Sequence, residues 1–107
     1  MVMSHSDVFR ALGDPTRRAM FERLMKAEAS VGDLTAKLGV SQPAVSQHLA
    51  VLREVGLVSP RQAGRQRFYR AEPAGLAPLF DWLEHYQRFW KRRLAKLQST
   101  LQELEDE

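Results

Sequence analysis

Residues 30–71 read SVGDLTAKLGVSQPAVSQHLAVLREVGLVSPRQAGRQRFYRA, and their punctuation decides the fold. Ser30 to Leu38 has the pattern of a short helix, with Leu34 and Leu38 four apart on one face. Gly39-Val40 breaks it. Ser41 is an N-cap candidate for the next helix, and Pro43 stands near its start, where proline is tolerated. Val45, Leu49 and Leu52 follow at spacings of four and three and build a buried stripe, which Gly56 ends. From Leu57 the period changes. Leu57 to Arg61 predicts a strand, Gly64 a turn, and Arg65 to Ala71 a second strand. The segment thus reads as helix, break, helix and a hairpin over about 57–71.

Working outward, Ser4 can cap a first helix running to about Leu12, with Val8, Phe9 and Leu12 on one face and Gly13 ending it in the left-handed conformation. Asp14-Pro15 opens a second helix, whose apolar stripe of Ala19, Met20, Leu24 and Met25 reaches about Glu28. Downstream, Pro73, Gly75 and Pro78 punctuate the exit from the hairpin. The last helix, about 76–104, is the longest. Leu76, Leu83, Trp90, Leu97 and Leu104 recur every seven residues, and so do Phe80, Gln87, Leu94 and Leu101, offset by four. That is a heptad seam with one polar member, Gln87. A helix of about 28 residues is ~40 Å long, too long to pack wholly against so small a body. Trp82, Tyr86 and Phe89 widen its apolar face. Glu103, Glu105, Asp106 and Glu107 place negative charge at the negative end of the helix dipole, so the tip should fray.

Composition excludes much. At 107 residues, with 44% hydrophobic and 27% charged positions, the chain suits one ordered domain spanning 1–107. It has no cysteine, which removes disulfides, thiolate metal sites and cysteine nucleophiles. No apolar run approaches the ~20 residues that span a bilayer, and the first residues lack a basic-then-apolar export pattern, so the cytoplasm is expected and no membrane. Three scattered histidines and no phosphate-cradling glycine loop leave no catalytic group with a partner at useful spacing, so an enzyme is not expected. No cofactor is expected either.

The charge is concentrated. Residues 1–40 carry 6 Lys+Arg against 5 Asp+Glu, residues 41–71 carry 5 against 1, and residues 72–107 carry 5 against 7, within a whole-chain net charge of +3. All five cations of the middle segment are arginine, whose planar fork suits phosphate and guanine better than a lysine does. The layout is therefore that of a mainly α winged helix-turn-helix with a small β-hairpin, and double-stranded DNA is the expected partner. One helix fits the major groove and presents its first turns to base edges, the preceding helix braces it, and the hairpin's arginines meet phosphates.

Ala11-Leu12-Gly13-Asp14-Pro15-Thr16-Arg17-Arg18, then Ser41-Gln42-Pro43-Ala44-Val45-Ser46-Gln47-His48-Leu49 and Leu52-Arg53-Glu54-Val55-Gly56-Leu57-Val58, resemble the ArsR-type family of bacterial repressors. The likeness covers nearly the whole chain and rests on the combination of pieces. It implies a homodimeric DNA-binding repressor whose terminal helices make the dimer interface. On this chain those are Val8, Phe9 and Leu12 of the first helix and Phe80, Leu83, Gln87, Trp90, Leu94, Leu97 and Leu101 of the last. The Phe80-Asp81-Trp82 and Phe89-Trp90 stretches are similar to a branch without metal ligands. Where some relatives carry cysteines in the third helix, this chain has Ser30-Val31-Gly32-Asp33. A second metal site in the family pairs Asp and His across the last helices. Here Asp81 and His85, four apart, depart from that spacing and read as a helix-surface pair.

Candidate DNA contacts follow from the stripe. With Val45, Leu49 and Leu52 inward, Gln42, Ser46, Gln47 and Arg53 face outward, and a glutamine can pair with adenine through both its amide atoms. Ser41, with Pro43 and Ala44 in the same first turn, caps the helix and can hold a phosphate on the freed amides. His48 is expected toward the buried side, in a structural or backbone-phosphate role in preference to base readout. In the hairpin, Arg61, Arg65, Gln66 and Arg67 flank Gly64. Arg17 and Arg18 sit where positive charge disfavours the helix dipole, which points to either a phosphate contact or a salt bridge. The aromatic group of the last helix reads as packing before it reads as a ligand pocket, and an inducing ligand is not legible. Two other readings stand beside the repressor that occludes an inverted repeat: a winged-helix module that binds protein, which would expose aromatics on the recognition face, and a metal-responsive repressor.

Overall fold

The computed structural model describes residues 3–106; Met1, Val2 and Glu107, the last a member of the acidic tip, lie outside the described residues. The elements are α1 (His5–Gly13), α2 (Pro15–Lys26), β1 (Ala29–Ser30), α3 (Val31–Leu38), α4 (Gln42–Glu54), β2 (Val58–Ala63), β3 (Gln66–Ala71), a 3₁₀ turn (Pro73–Leu76) and α5 (Ala77–Glu105). The architecture is a winged helix-turn-helix with a long C-terminal helix.

Local chemistry sets the boundaries. Ser4 and Ser30 each cap a helix reciprocally with an aspartate three residues on, Asp7 and Asp33. Asp14 Oδ1 accepts the amides of Thr16 at 2.9 Å and Arg17 at 3.0 Å, so α2 starts on it with Pro15 as its first residue. Gly56, at φ 81°, ends α4: its N–H donates to the Arg53 carbonyl at 3.0 Å and that of Leu57 to the Leu52 carbonyl at 2.9 Å. This closure folds Leu57 back onto the helix it follows and aims the chain into β2.

Gly13 departs from the expectation. It is the last residue of α1 with no positive φ, and the cap is Asp14 in extended conformation. The orphan carbonyls are satisfied from outside. Arg17 donates Nε to Ala11 O at 2.7 Å and Nη2 to Arg10 O at 3.1 Å, while Arg18 donates Nη1 to Leu12 O at 2.9 Å. Both arginines therefore tie α1 to α2. Their positive charge, unfavourable at the start of α2, is favourable at the end of α1.

The sheet has three strands in the order β1-β3-β2, all antiparallel. Two strands were expected; β1 is the addition, pairing Ala29 with Tyr69 and Ser30 with Phe68. Pro60 falls within β2, an edge strand, where its missing N–H breaks no ladder. Between α2, α3, α4 and the sheet lies the core, with Met20, Leu24, Leu34, Val45, Leu49, Leu52, Leu57 and Val58 among its members. Phe21 is buried where Met25 was expected; Met25 is exposed.

The exit from the sheet is tightly packed. Glu72 N donates to Leu57 O at 2.7 Å, and a side chain at Gly75 would collide with the Gly56 carbonyl. Only glycine lets the 3₁₀ turn lie against that corner and launch α5, which starts at Ala77 and not at Leu76. No residue of α5 is buried. The radius of gyration is 19.3 Å, against roughly 13 Å for a compact chain of this length, and the molecule measures 68 × 32 × 21 Å. Its first turns alone meet the body, through Phe9 and Trp82 with ring centroids 5.1 Å apart.

Candidate nucleic-acid interface

The first turn of α4 is held from within. Ser41 Oγ accepts the Ala44 amide at 3.3 Å, and Ser41 O accepts the Val45 amide at 3.0 Å. Val45, Leu49 and Leu52 pin the inner face into the core, which rotates Gln42, Pro43, Ser46, Gln47 and Arg53 outward to solvent. Ala44 is half-buried. His48 is also half-buried, with Nδ1 3.5 Å from Arg17 Nη1. The arginine that closes α1 thus also touches α4, an arrangement no short-range pattern in the sequence signals.

The hairpin turns on Gly64, at φ 62°, followed by Arg65. A glycine first and a residue of negative φ second is the type II′ arrangement that suits strand twist. Gln62 Nε2 donates to Gly64 O at 3.0 Å and stiffens the tip. Arg65, Gln66 and Arg67 are exposed there, and Arg67 lies 5.5 Å from the Tyr69 ring. Among the described residues, Arg53, Arg65 and Arg67 form no ion pair.

Arg61 is committed differently. It reaches across the sheet, passes 5.5 Å over the Phe68 ring, and meets Glu28 with contacts of 2.6, 3.1 and 3.2 Å. These hydrogen bonds hold the Glu28 carboxyl below its ordinary value of 4.5 and raise the guanidinium further. Arg70 is likewise occupied. Register places it opposite Ser59, and Ser59 Oγ and Arg70 Nε both donate to Glu72 Oε1, at 2.5 and 3.1 Å. The Ser59 hydrogen bond, then the Arg70 charge, lowers the Glu72 pKa. Of the five arginines of the basic segment, Arg61 therefore fastens the hairpin to the body through Glu28, and Arg70 ties the two strands to the residue that follows them. Counting back from Gly64 would have found Ser59 opposite Arg70; Glu28, 33 residues before Arg61, offered no such count.

Of the expected partner contacts, Val8 needs correction. It is 0% exposed and belongs to the chain's own core, so it has no surface to offer a second molecule. Leu12 is half-buried against that core. Phe9 stays 43% exposed, and Phe80, Leu83, Gln87, Trp90, Leu94, Leu97 and Leu101 form an open stripe along α5. Trp82 and Tyr86, 4.9 Å apart, pack with Phe9 and His5 at the α1–α5 junction. Asp81, Glu84 and His85 line an open surface of a single helix. Among the described residues, no group of three or more His, Asp or Glu converges on a common point.

Residues 14–59 match the model of the bacterial regulatory protein, arsR family. The chain is 50% identical over 87 residues to the HTH-type transcriptional regulator Rv2034 of Mycobacterium tuberculosis, covering 81% of this chain and 78% of that one. The chain belongs to the ArsR family. It is 38% identical over 78 residues to the biofilm growth-associated repressor of Xylella fastidiosa, covering 73% of this chain and 68% of that one. An ArsR-like transcriptional regulator from a Rhodococcus species superposes with a TM-score of 0.71 at 37% identity, covering 89% of this chain and 90% of that one. As an ArsR-family member the chain is a DNA-binding transcriptional regulator and not an enzyme. No helix among the described residues is long and apolar enough to cross a membrane.

Proposed function

We propose that the protein is a homodimeric repressor of the cytoplasm that occludes a promoter containing an inverted repeat, acting as one domain over its 107 residues. The observation that carries this reading is the polar outer face of α4, open to solvent beside the Arg65–Arg67 tip. Gln42, Ser46 and Gln47 meet base edges in the major groove, with Ser41, Pro43 and Ala44 bringing the helix N-terminus against a phosphate. Arg53, Arg65, Gln66 and Arg67 follow the backbone on either side. Arg61 and His48 shape that surface, the first by fixing the hairpin and the second by bracing α4 against Arg17. The exposed stripe of α5, with Phe9 and the edge of Leu12, pairs two copies. A two-fold dimer then sets two recognition helices on half-sites about 34–36 Å apart or a multiple of that.

The test is a binding titration at two salt concentrations against the protein's own upstream DNA, beside an unrelated duplex of equal length. Tight binding to the upstream DNA with a steep salt slope supports the reading. Equal, weak binding to both duplexes contradicts it for that promoter and favours a protein-binding module.

A further inference from the structure

We infer that His48 is a DNA-phosphate contact whose tautomer is set from behind: Arg17 holds the neutral ring with its proton on Nε2, and that N–H donates to the backbone of the bound duplex. This rests on the reading of α4 as the groove helix and adds to it a contact and a protonation state.

Arg17 Nη1 lies 3.5 Å from His48 Nδ1. A guanidinium carries donors only, so a proton on Nδ1 would set N–H against N–H. The neutral ring therefore keeps Nδ1 as an acceptor and carries its hydrogen on Nε2. Arg17 has no freedom to turn away. Its Nε donates to Ala11 O at 2.7 Å and its Nη2 to Arg10 O at 3.1 Å, which leaves the third arm of a rigid fork beside the ring. Asp14, the acid at the start of α2, is engaged elsewhere. Its Oδ1 accepts the amides of Thr16 and Arg17, and its Oδ2 lies 4.0 Å from the same Nη1.

The other ring nitrogen is open. His48 is half-buried, and among the described residues Nε2 has no hydrogen-bond partner while no sealed side-chain nitrogen or oxygen lacks one. Nε2 therefore reaches solvent. His48 stands four residues after Ala44, on the same flank of α4 and about 6 Å further along its axis. That flank borders the face of Gln42, Ser46 and Gln47, so it meets the wall of a groove that those residues enter, and the wall is phosphate. A ring held against α2 is too short to pass Gln47 to the groove floor. The cation behind Nδ1 polarises the imidazole and strengthens an N–H offered to an anion.

Two amides separate the two nitrogens. In His48→Gln the side-chain NH2 falls near the place of Nε2. In His48→Asn the amide falls near Nδ1, where its oxygen still accepts from Arg17 and no donor points outward. At pH 8, where an ordinary histidine is neutral, binding to the protein's own upstream DNA is titrated for both. His48→Gln should stay within about twofold of wild type and His48→Asn should bind about tenfold more weakly, the scale of one lost hydrogen bond. An unrelated duplex should lose by the same factor, because phosphates carry no sequence. The salt slope should hold, since a neutral donor displaces no counterion.

Equal losses in both variants, or none in either, would leave His48 as packing and overturn the contact. So would a loss in His48→Gln alone, which marks a brace for Arg17 only, or a loss confined to upstream DNA, which marks a base edge. A slope lowered by about 0.9 in His48→Asn would mean an imidazolium and overturn the tautomer. Nitrogen-15 spectra of the wild-type imidazoles need no variant. They should show the His48 proton on Nε2, shifted and exchanging more slowly once DNA is added. A proton on Nδ1, or an Nε2–H that DNA leaves unmoved, overturns the inference even where a variant fails to fold. Wild type that binds neither duplex overturns the DNA reading of α4 itself, whereas tight binding with an unmoved Nε2–H overturns the contact alone.

Discussion

The two ends of the molecule solve opposite problems with the same residue types. In α4, every leucine and valine at helical spacing is spent on the chain's own core, and the outer face keeps glutamines, serines and an arginine. In α5, the leucines and aromatics of an equally regular pattern stand in solvent, with Trp90 59% and Leu97 55% exposed. Periodicity alone does not distinguish the two. What differs is length and attachment: α4 is 13 residues clamped between α2, α3 and the sheet, whereas α5 is 29 residues launched from the Gly75 corner past the end of the body. An apolar stripe is a core where the fold supplies a facing surface and stays open to solvent where it does not.

Leucine truncation separates the two roles. Leu52→Ala should cost about 2–5 kcal/mol of unfolding free energy, the usual range for a buried leucine. Leu97→Ala should change the stability of the isolated chain by no more than ~0.5 kcal/mol while weakening self-association. Urea titration at low protein concentration reads both. Equal losses would mean that α5 is folded into the body.

On the DNA side, Gln42→Ala should reduce affinity for the operator by about 1–3 kcal/mol and leave unrelated DNA unaffected. Parallel losses on both would move Gln42 from base edges to the backbone. Arg65→Ala should weaken binding to all sequences and lower the salt slope by about 0.9, as expected for one lost phosphate contact. Arg61→Ala should lower the slope less, because that guanidinium is held by Glu28. A slope change for Arg61→Ala as large as for Arg65→Ala would show that the clamp opens on DNA.

The smallest effect concerns acid. Asp7, Asp14, Glu28 and Glu72 all have depressed pKa values in the folded chain, from hydrogen bonds to Ser4, to the amides of α2, to Arg61 and to Ser59 respectively. Depressed carboxylates stabilise the fold fully above their ordinary values of 3.8 and 4.5 and lose that contribution as pH falls through the lowered ones. Thermal melts should hold steady from neutral pH down to about 5 and decline below 4. Glu28→Gln should remove part of the decline without touching self-association.

Sequence alone conveyed the parts of the fold that are written locally. Ser41 with Pro43, Gly56, and Gly64 between two short strands are signals within a few residues, and the structure has α4 and the hairpin where they fall. The heptad of α5 spans enough turns to be unambiguous. What escaped was written across the chain. Strand β1 is two residues long and has no period of its own; it exists because β3 offers an edge to Ala29 and Ser30. The partners of Arg17 and Arg61 lie six and 33 residues away, so neither arginine's task could be counted from spacing. Val8 and Phe9 are neighbours on an amphipathic helix, and only the way α1 packs into the core decides that the first is sealed and the second open.

The central claim is a division of labour, with α4 and the hairpin reading DNA and α5 pairing two readers. Its most direct test is the mass of the complex on a duplex of the protein's own upstream DNA, measured by sedimentation for wild type and Trp90→Asp. The account predicts two wild-type chains per duplex, and a folded Trp90→Asp monomer that binds the operator far more weakly. One wild-type chain per duplex, with affinity unchanged in Trp90→Asp, would contradict it.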